Sequence, residues 1–231
     1  MTEIVLVRHG QASFGGANYD VLSPLGQRQS VTLGAHWKQI GFKAAAFHSG
    51  AMSRQKDTAK HALTEAGIVA AVHENTAFNE YDFENILPGY LPMARHEHPE
   101  LLKDGGAALR DKRQFQRIFE IIIGYWLAGR APEGKPVEPW LDFCARVSVG
   151  LQAIATPEHP RVVVFTSGGI IAVALRAAMA LSDTMAMQLN WRIANASVHQ
   201  FKMGRRGLSL QGFNNITHLE LARDPDLVTY R

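Results

Sequence analysis

The sequence predicts an α/β fold: a three-layer α/β/α sandwich around a mainly parallel sheet, carrying a helical insertion. Two observations lead there. The runs Ile4-Val5-Leu6-Val7 and Val162 to Phe165 are wholly apolar and rich in valine, so each reads as a strand buried on both faces. Between and beside them the apolar spacing switches to the helical period, in the order βαβαβ with short connections. With 231 residues and 46% hydrophobic content, the chain suits a single domain spanning 1–231 with an insertion at about 79–139.

The elements follow in order. The first strand stops at Arg8-His9-Gly10, and Ser13 to Asn18 reads as loop. Ser23 is placed to cap a helix with Pro24 at its first position, Leu33, Trp37 and Ile40 keep helical spacing, and Gly41 stops it. A short strand, Ala44 to His48, ends in Ser49-Gly50. Ser53 can cap a second helix that bears Arg54, Gln55, Asp57 and Thr58 near its start and closes at Gly67. Ile68 to Val72 resembles a third strand. From Asn79 to about Pro139 no buried strand is evident. Pro88, Pro92 and Pro99 allow only short helices in the first part of it, and Asp111 to Ala128 is strongly amphipathic through Phe115, Ile118, Phe119, Ile122 and Trp126. This segment is expected to lie over the sheet edge. A helix from Trp140 to about Ile154 contains Cys144 on its apolar stripe. The second buried strand runs into Thr166-Ser167-Gly168-Gly169 and an apolar helix, Ile170 to Leu181. Ala196 to Met203 and Leu208 to Asn214 then form a hairpin about Gly204-Arg205-Arg206-Gly207.

Composition excludes several classes. A net charge of +3, from 24 basic and 21 acidic residues, is too small at this size to imply a nucleic-acid partner. One cysteine, Cys144, rules out an internal disulfide and a cysteine-rich metal site. The Ile170 to Leu181 run is broken by Arg176 and too short to span a bilayer. No basic leader precedes Ile4, so no membrane partner and a cytoplasmic location are expected. His96-Glu97-His98 lacks a third ligand and reads as a solvated turn, as does Arg205-Arg206. Dinucleotide and P-loop glycine patterns are missing, and Phe165 stands where a nucleophile elbow needs glycine.

The chemistry gathers at strand ends. A parallel sheet brings Arg8-His9-Gly10, Ser49 with Arg54, and Ser167-Gly168-Gly169 to one edge, where open α/β sheets bind ligands. Asn79-Glu80, at the start of the insertion, can reach the same edge. Arginines offer forks of donors to phosphoryl oxygens, and a neutral imidazole can attack phosphorus. The glycine-bearing start of a helix suits an anion, and a carboxylic acid can protonate a leaving oxygen.

These motifs resemble the histidine phosphatase superfamily, in its phosphoglycerate mutase-like branch, over nearly the whole chain. Val7-Arg8-His9-Gly10 resembles the family's signature and Leu22 to Gln27 the capped helix after it. His48-Ser49 through Arg54, Thr58 and Ala59 resembles the second-arginine motif, and Phe78-Asn79-Glu80 the acid motif. Asn195-Ala196-Ser197, with Phe213-Asn214 through His218-Leu219, resembles the C-terminal strands. The resemblance implies His9 as nucleophile and Glu80 as proton donor. It implies phosphate binding by Arg8 and Arg54 with no metal, while the glycine-bearing helix start adds Ser167 and Gly168 as expected phosphate ligands, and no cofactor is expected. One departure stands out: relatives usually carry a second histidine where this chain has Ser167. A neutral hydroxyl in place of a charge-assisted contact costs about 1.5–3 kcal/mol of transition-state binding, roughly ten- to a hundredfold in rate. His48 lies near a neighbouring strand end, but the sequence does not show it filling that role. Gln11 stands where many relatives have glutamate.

The expectation is hydrolysis of a phosphate monoester through phosphohistidine, the substrate being a phosphorylated small molecule or protein. The alternative is a pseudoenzyme that binds a phosphorylated ligand without turnover, motivated by Ser167. A mutase would need a site that holds product and excludes water, and no residue here points to one. Homodimerisation stays open.

Overall fold

The computed structural model describes residues 1–13, 20–101 and 112–230. In chain order its elements are β1 (Thr2–Arg8), α1 (Pro24–Gln39), β2 (Ala46–Ser49), α2 (Ser53–Ala66) and β3 (Val72–Glu74). Next come α3 (Phe83–Glu97), α4 (Lys112–Leu127), α5 (Trp140–Ile154), β4 (Arg161–Thr166), α6 (Gly168–Met179) and α7 (Asp183–Asn190). The chain closes with β5 (Val198–Gly204), β6 (Gly207–Asn215) and α8 (Thr217–Leu221). The expected loop from Phe14 to Asn18 lies outside the described residues.

The strands form one six-stranded sheet in the order β3-β2-β4-β1-β5-β6. β1 to β4 pair in parallel, while β5 runs antiparallel to β1 and β6 to β5. A parallel pair needs a crossover, and the helices supply it, so the sheet is covered on both faces. Val5, Val7, Phe47, Val163 and Phe165 pack one face against Leu33 and Trp37 of α1 and Ala59, Ala62 and Leu63 of α2. Ile4, Leu6, Val162 and Val164 alternate onto the other face and are fully buried. There α6 packs on β1 and β6.

The chain divides into two compact units, Met1–Glu80 with Arg146–Arg231, and Tyr81–Ala145. The first holds the sheet. The second is helical, with Tyr81, Ile86, Tyr90, Ile118, Ile122, Trp126, Trp140 and Phe143 buried. Trp126 meets Trp140 edge-on, ring centroids 5.1 Å apart.

Most sequence expectations hold at element level: Ser23 accepts from Gly26 N–H at 3.0 Å as the α1 cap, and Gly41 and Gly67 adopt positive φ at helix ends. Six differ. Met52, not Ser53, is the α2 N-cap. Ser53 is the first helical residue because the Asp20 carboxylate takes its N–H at 2.8 Å. The third strand is Val72–Glu74 rather than Ile68 to Val72, since only those residues pair with β2 and Val69 is wholly exposed. α3 is a 15-residue helix despite Pro88 and Pro92. Burial of Ile86, Tyr90, Met93 and Ala94 offsets the lost helix bonds, and the neighbouring Gly89 carbonyl accepts two loop N–H groups, from Glu133 and Gly134. Glu97 belongs to the end of α3, where it accepts from Tyr125 and Arg130, so His96-Glu97-His98 is a helix terminus rather than a turn. α7, capped by Ser182, was not anticipated. His218 and Leu219 lie in α8, not in a strand.

The close of β1 touches the opening of α1 backbone to backbone. A Cβ on Gly10 would fall 2.3 Å from the Gly26 carbonyl oxygen, and one on Gly26 would fall 2.1 Å from that of Gln11. Neither atom sits on a flexible side chain, so an added methyl must push strand and helix apart. Gly10→Ala is therefore expected to cost about 1–3 kcal/mol, which lowers Tm by roughly 3–10 °C at this size. Thermal unfolding followed by circular dichroism reads it; an unchanged Tm would refute the close approach.

Candidate active site

His9 leaves the end of β1 with its N–H given to the Thr166 carbonyl at 2.8 Å, which extends the β1–β4 ladder one residue further. Side-chain alternation then puts His9 on the α2 face of the sheet, with Val7 and Phe165. The residue is 5% exposed. Nδ1 donates to the Gly10 carbonyl at 2.6 Å, and Arg54 Nε donates to Nε2 at 3.2 Å. The two bonds fix one neutral tautomer, proton on Nδ1 and lone pair on Nε2. Burial, then the Arg54 charge and then the Arg8 charge hold His9 well below the usual histidine range, offset in part by the Gly10 bond. The imidazole is neutral at pH 7, with its lone pair directed at a buried guanidinium.

Arg54 stands in the first turn of α2 and is buried. Asp20 anchors it at 3.0 Å through Nη1, while the other Asp20 oxygen caps the same helix at Ser53. One carboxylate thus serves both the helix's positive end and the arginine. Thr58, one turn on, accepts from Gly10 N–H at 3.0 Å and donates to the Arg54 carbonyl at 2.7 Å. The strand end and the arginine's helix are joined through that hydroxyl.

Ser167 is the N-cap of α6 but makes no side-chain capping bond. The helix's second N–H, Gly169, is accepted instead by both oxygens of Glu80, at 3.1 and 3.2 Å. An acid from the segment after β3 therefore occupies an anion site at the C-terminal edge of β4. Ser167 is fully buried, and its Oγ accepts from Gln55 Nε2 at 2.8 Å. Gly168 is pressed against Asn190, whose Oδ1 would lie 2.1 Å from an added Cβ. The structure thus gathers His9, Arg54, Ser167 and Glu80 at the C-terminal ends of adjacent strands.

Arg8 comes from the opposite face of β1. Its Nη1 donates to the carbonyls of Ile193 and Tyr230, the latter at 3.1 Å, and its charge acts on both His9 and His199. The His9 carbonyl is also tied, by Ala196 N–H at 3.2 Å and Asn195 Nδ2 at 3.3 Å. Asn195 Oδ1 accepts from Thr229 Oγ1, and Gln29 Nε2 donates to Thr229 Oγ1 and the Leu227 carbonyl. Gln11 takes part as well: its N–H meets Gln29 Oε1 at 2.7 Å, and its Oε1 accepts from Ser23 Oγ at 2.8 Å.

His48 points to the sheet face opposite Phe47 and Ser49, and burial with the charges of His73 and His159 lowers it to about 4. That placement removes it from the α2 face where Ser167 lies. Sequence reasoning missed Asp20, a lone acid without a motif, and Gln29, one more polar residue on an amphipathic helix. Neither carries a signal in spacing.

An α/β sheet with a neutral histidine, a buried arginine and a helix-bound carboxylate at its C-terminal edge defines a class of anion-handling domains. Residues 4–216 match the model of the histidine phosphatase superfamily (branch 1), and the chain belongs to that superfamily. Among curated proteins none matches the sequence. Solved structures of similar fold include phosphoglycerate mutase from Bacillus anthracis, 17% identical with TM-score 0.68, covering 96% of this chain and 97% of that one. A mycobacterial glucosyl-3-phosphoglycerate phosphatase bound to inorganic phosphate is 23% identical with TM-score 0.57, covering 94% and 99%. The α-ribazole phosphatase of Shigella flexneri is 17% identical with TM-score 0.62, covering 93% and 96%. At these identities the likeness is one of fold.

Proposed function

We propose that the chain hydrolyses a phosphate monoester, carried by a small molecule or a protein, through a phosphohistidine on His9. The observation that carries this reading is the fixed His9 tautomer, whose Nε2 lone pair faces Arg54 at 3.2 Å. Nε2 attacks phosphorus, the ester P–O bond breaks, and Glu80 gives its proton to the leaving oxygen. Glu80 then takes a proton from water, whose oxygen attacks phosphorus; the P–N bond breaks and inorganic phosphate leaves. Arg54 and Arg8 offset the charge of the phosphoryl oxygens, and Ser167 with the Gly168 end of α6 supplies neutral donors. A phosphate entering at α6 would take the Gly169 N–H from Glu80. Two anions side by side raise the carboxyl's affinity for a proton, which makes Glu80 an acid. The phosphatases of similar fold, named for phosphate esters of small hydroxylated molecules, agree with this substrate class.

The competing reading is a protein that binds phosphorylated ligands without turnover, and Ser167 in place of an imidazole favours it. Rapid-quench labelling with an aryl phosphate separates the two. Acid-labile phosphate on the wild type that disappears in His9→Ala is the expected result. Saturable phosphate binding with no label at any quench time would establish the binder instead.

A further inference from the structure

We infer that Gln55 is a positioning residue that turns the Ser167 hydroxyl into a dedicated donor for the phosphoryl group; this rests on the phosphate-ester reading of the site. Gln55 is fully buried in the first turn of α2, next to Arg54. Its carboxamide orientation follows from its two backbone partners. Met52 N–H points at Oε1 at 3.4 Å, and Nε2 donates to the Phe78 carbonyl at 3.1 Å. The Nε2 end therefore faces Ser167 Oγ at 2.8 Å and can only donate to it. Ser167 Oγ is an acceptor in that bond, so its own proton remains to be given. No acceptor for that proton is found among the described residues.

A buried hydroxyl proton without an acceptor is costly, and the cost falls on a residue aligned with the candidate nucleophile. Arg8 and Thr166 are register partners, so His9 and Ser167 occupy adjacent strand ends on one sheet face. An anionic oxygen held beside His9 Nε2 would meet the spare proton and gain a charge-assisted bond. Gln55 has a second effect through the Phe78 carbonyl, which also accepts from Thr166 Oγ1 at 2.9 Å. That carbonyl lies two residues before Glu80. The same amide thus sets the hydroxyl and the turn that delivers the acid.

The test is a double-mutant cycle read by calorimetric titration with inorganic phosphate, which needs no turnover. Ser167→Ala is expected to weaken phosphate binding about tenfold or more, and Gln55→Met at least about threefold. In Ser167→Ala, the further change Gln55→Met should alter affinity less than about twofold, because its target is gone. A general packing defect would lower affinity equally in both backgrounds, and Gln55→Leu repeats the comparison if the methionine variant misfolds. Equal effects in both backgrounds, or unchanged affinity in Ser167→Ala, overturns the assignment. Phosphohistidine labelling is scored separately: coupled binding without label leaves the pair standing and removes the proposed reaction, while label with uncoupled binding does the reverse.

Discussion

His9→Ala is expected to lower kcat for phosphate release by about 10⁴-fold or more, against a much smaller loss of phosphate affinity. The first quantity depends on the attacking lone pair, for which alanine has no substitute. A factor of that size corresponds to about 5.5 kcal/mol of transition-state stabilisation. The structural cost is smaller. The imidazole makes one bond to the Gly10 carbonyl and one to Arg54, and their removal costs about 1–3 kcal/mol of fold stability. A domain with an ordinary margin of about 5–15 kcal/mol stays folded after that loss. Arg54 and the α6 terminus remain to hold phosphate. Parallel measurement of kcat, phosphate affinity and Tm distinguishes the outcomes. Phosphate release by His9→Ala at the wild-type rate would remove His9 from the chemistry.

Acid should unfold the protein through its buried histidines. His199 is lowered to about 3 by burial and then by the Arg8 charge. Its ring is satisfied only when neutral: Asn214 N–H donates to Nδ1 at 3.2 Å, so Nε2 carries the proton toward Ser197 Oγ at 2.9 Å. A second proton on Nδ1 would oppose the Asn214 N–H. His218 is lowered to about 4 by burial and then by His36, offset by its bond to the Ala196 backbone. Its Nε2 is buried without a partner among the described residues. An unfolded histidine titrates near 6.5. Between that value and the folded one, the unfolded chain holds the proton and the folded chain does not, so stability falls as pH falls. Each group contributes about 1.4 kcal/mol per pH unit in that window, and the two together remove about 5 kcal/mol between pH 7 and pH 4.5. His9 shifts the same way and steepens the decline. Urea unfolding across this range should show the midpoint falling continuously below about pH 6. A midpoint independent of pH from 7 to 4.5 would contradict it.

Much of the fold was legible because local chemistry and tertiary placement agree there. The valine-rich runs became β1 and β4 because strands with helices on both faces have no polar positions. Ser23-Pro24 fixed the start of α1, and Trp140 to Ile154 kept an unbroken apolar stripe. The reading failed where packing overrides local preference. Pro88 and Pro92 argue against a long helix, yet α3 forms because its apolar side is buried. Ile68 to Ala71 has strand composition, but β2 begins only at Ala46, too late in the parallel register to pair with it. At the site, the strand ends marked where His9, Arg54 and Ser167 come together. What holds them was hidden: Asp20 and Gln55 act through bonds to residues distant in sequence, which leave no periodic trace.

The central place of β1 sets an order of assembly. It is made before both of its sheet neighbours, β4 and β5, which lie far downstream. Arg8 is fastened by Tyr230, 222 residues away in sequence, and the His9 carbonyl by Asn195, 186 away. During synthesis at about 5–20 residues per second, the apolar strand Ile4 to Val7 waits many seconds for partners. Contacts of such separation make folding slow and leave the nascent strand open to wrong pairings. The same topology carries a safeguard. A chain released before Asn195 lacks the three bonds that Asn195, Ala196 and Ser197 make to the backbone of residues 8 and 9, so such a fragment carries the signature motif without the clamp that holds it in place.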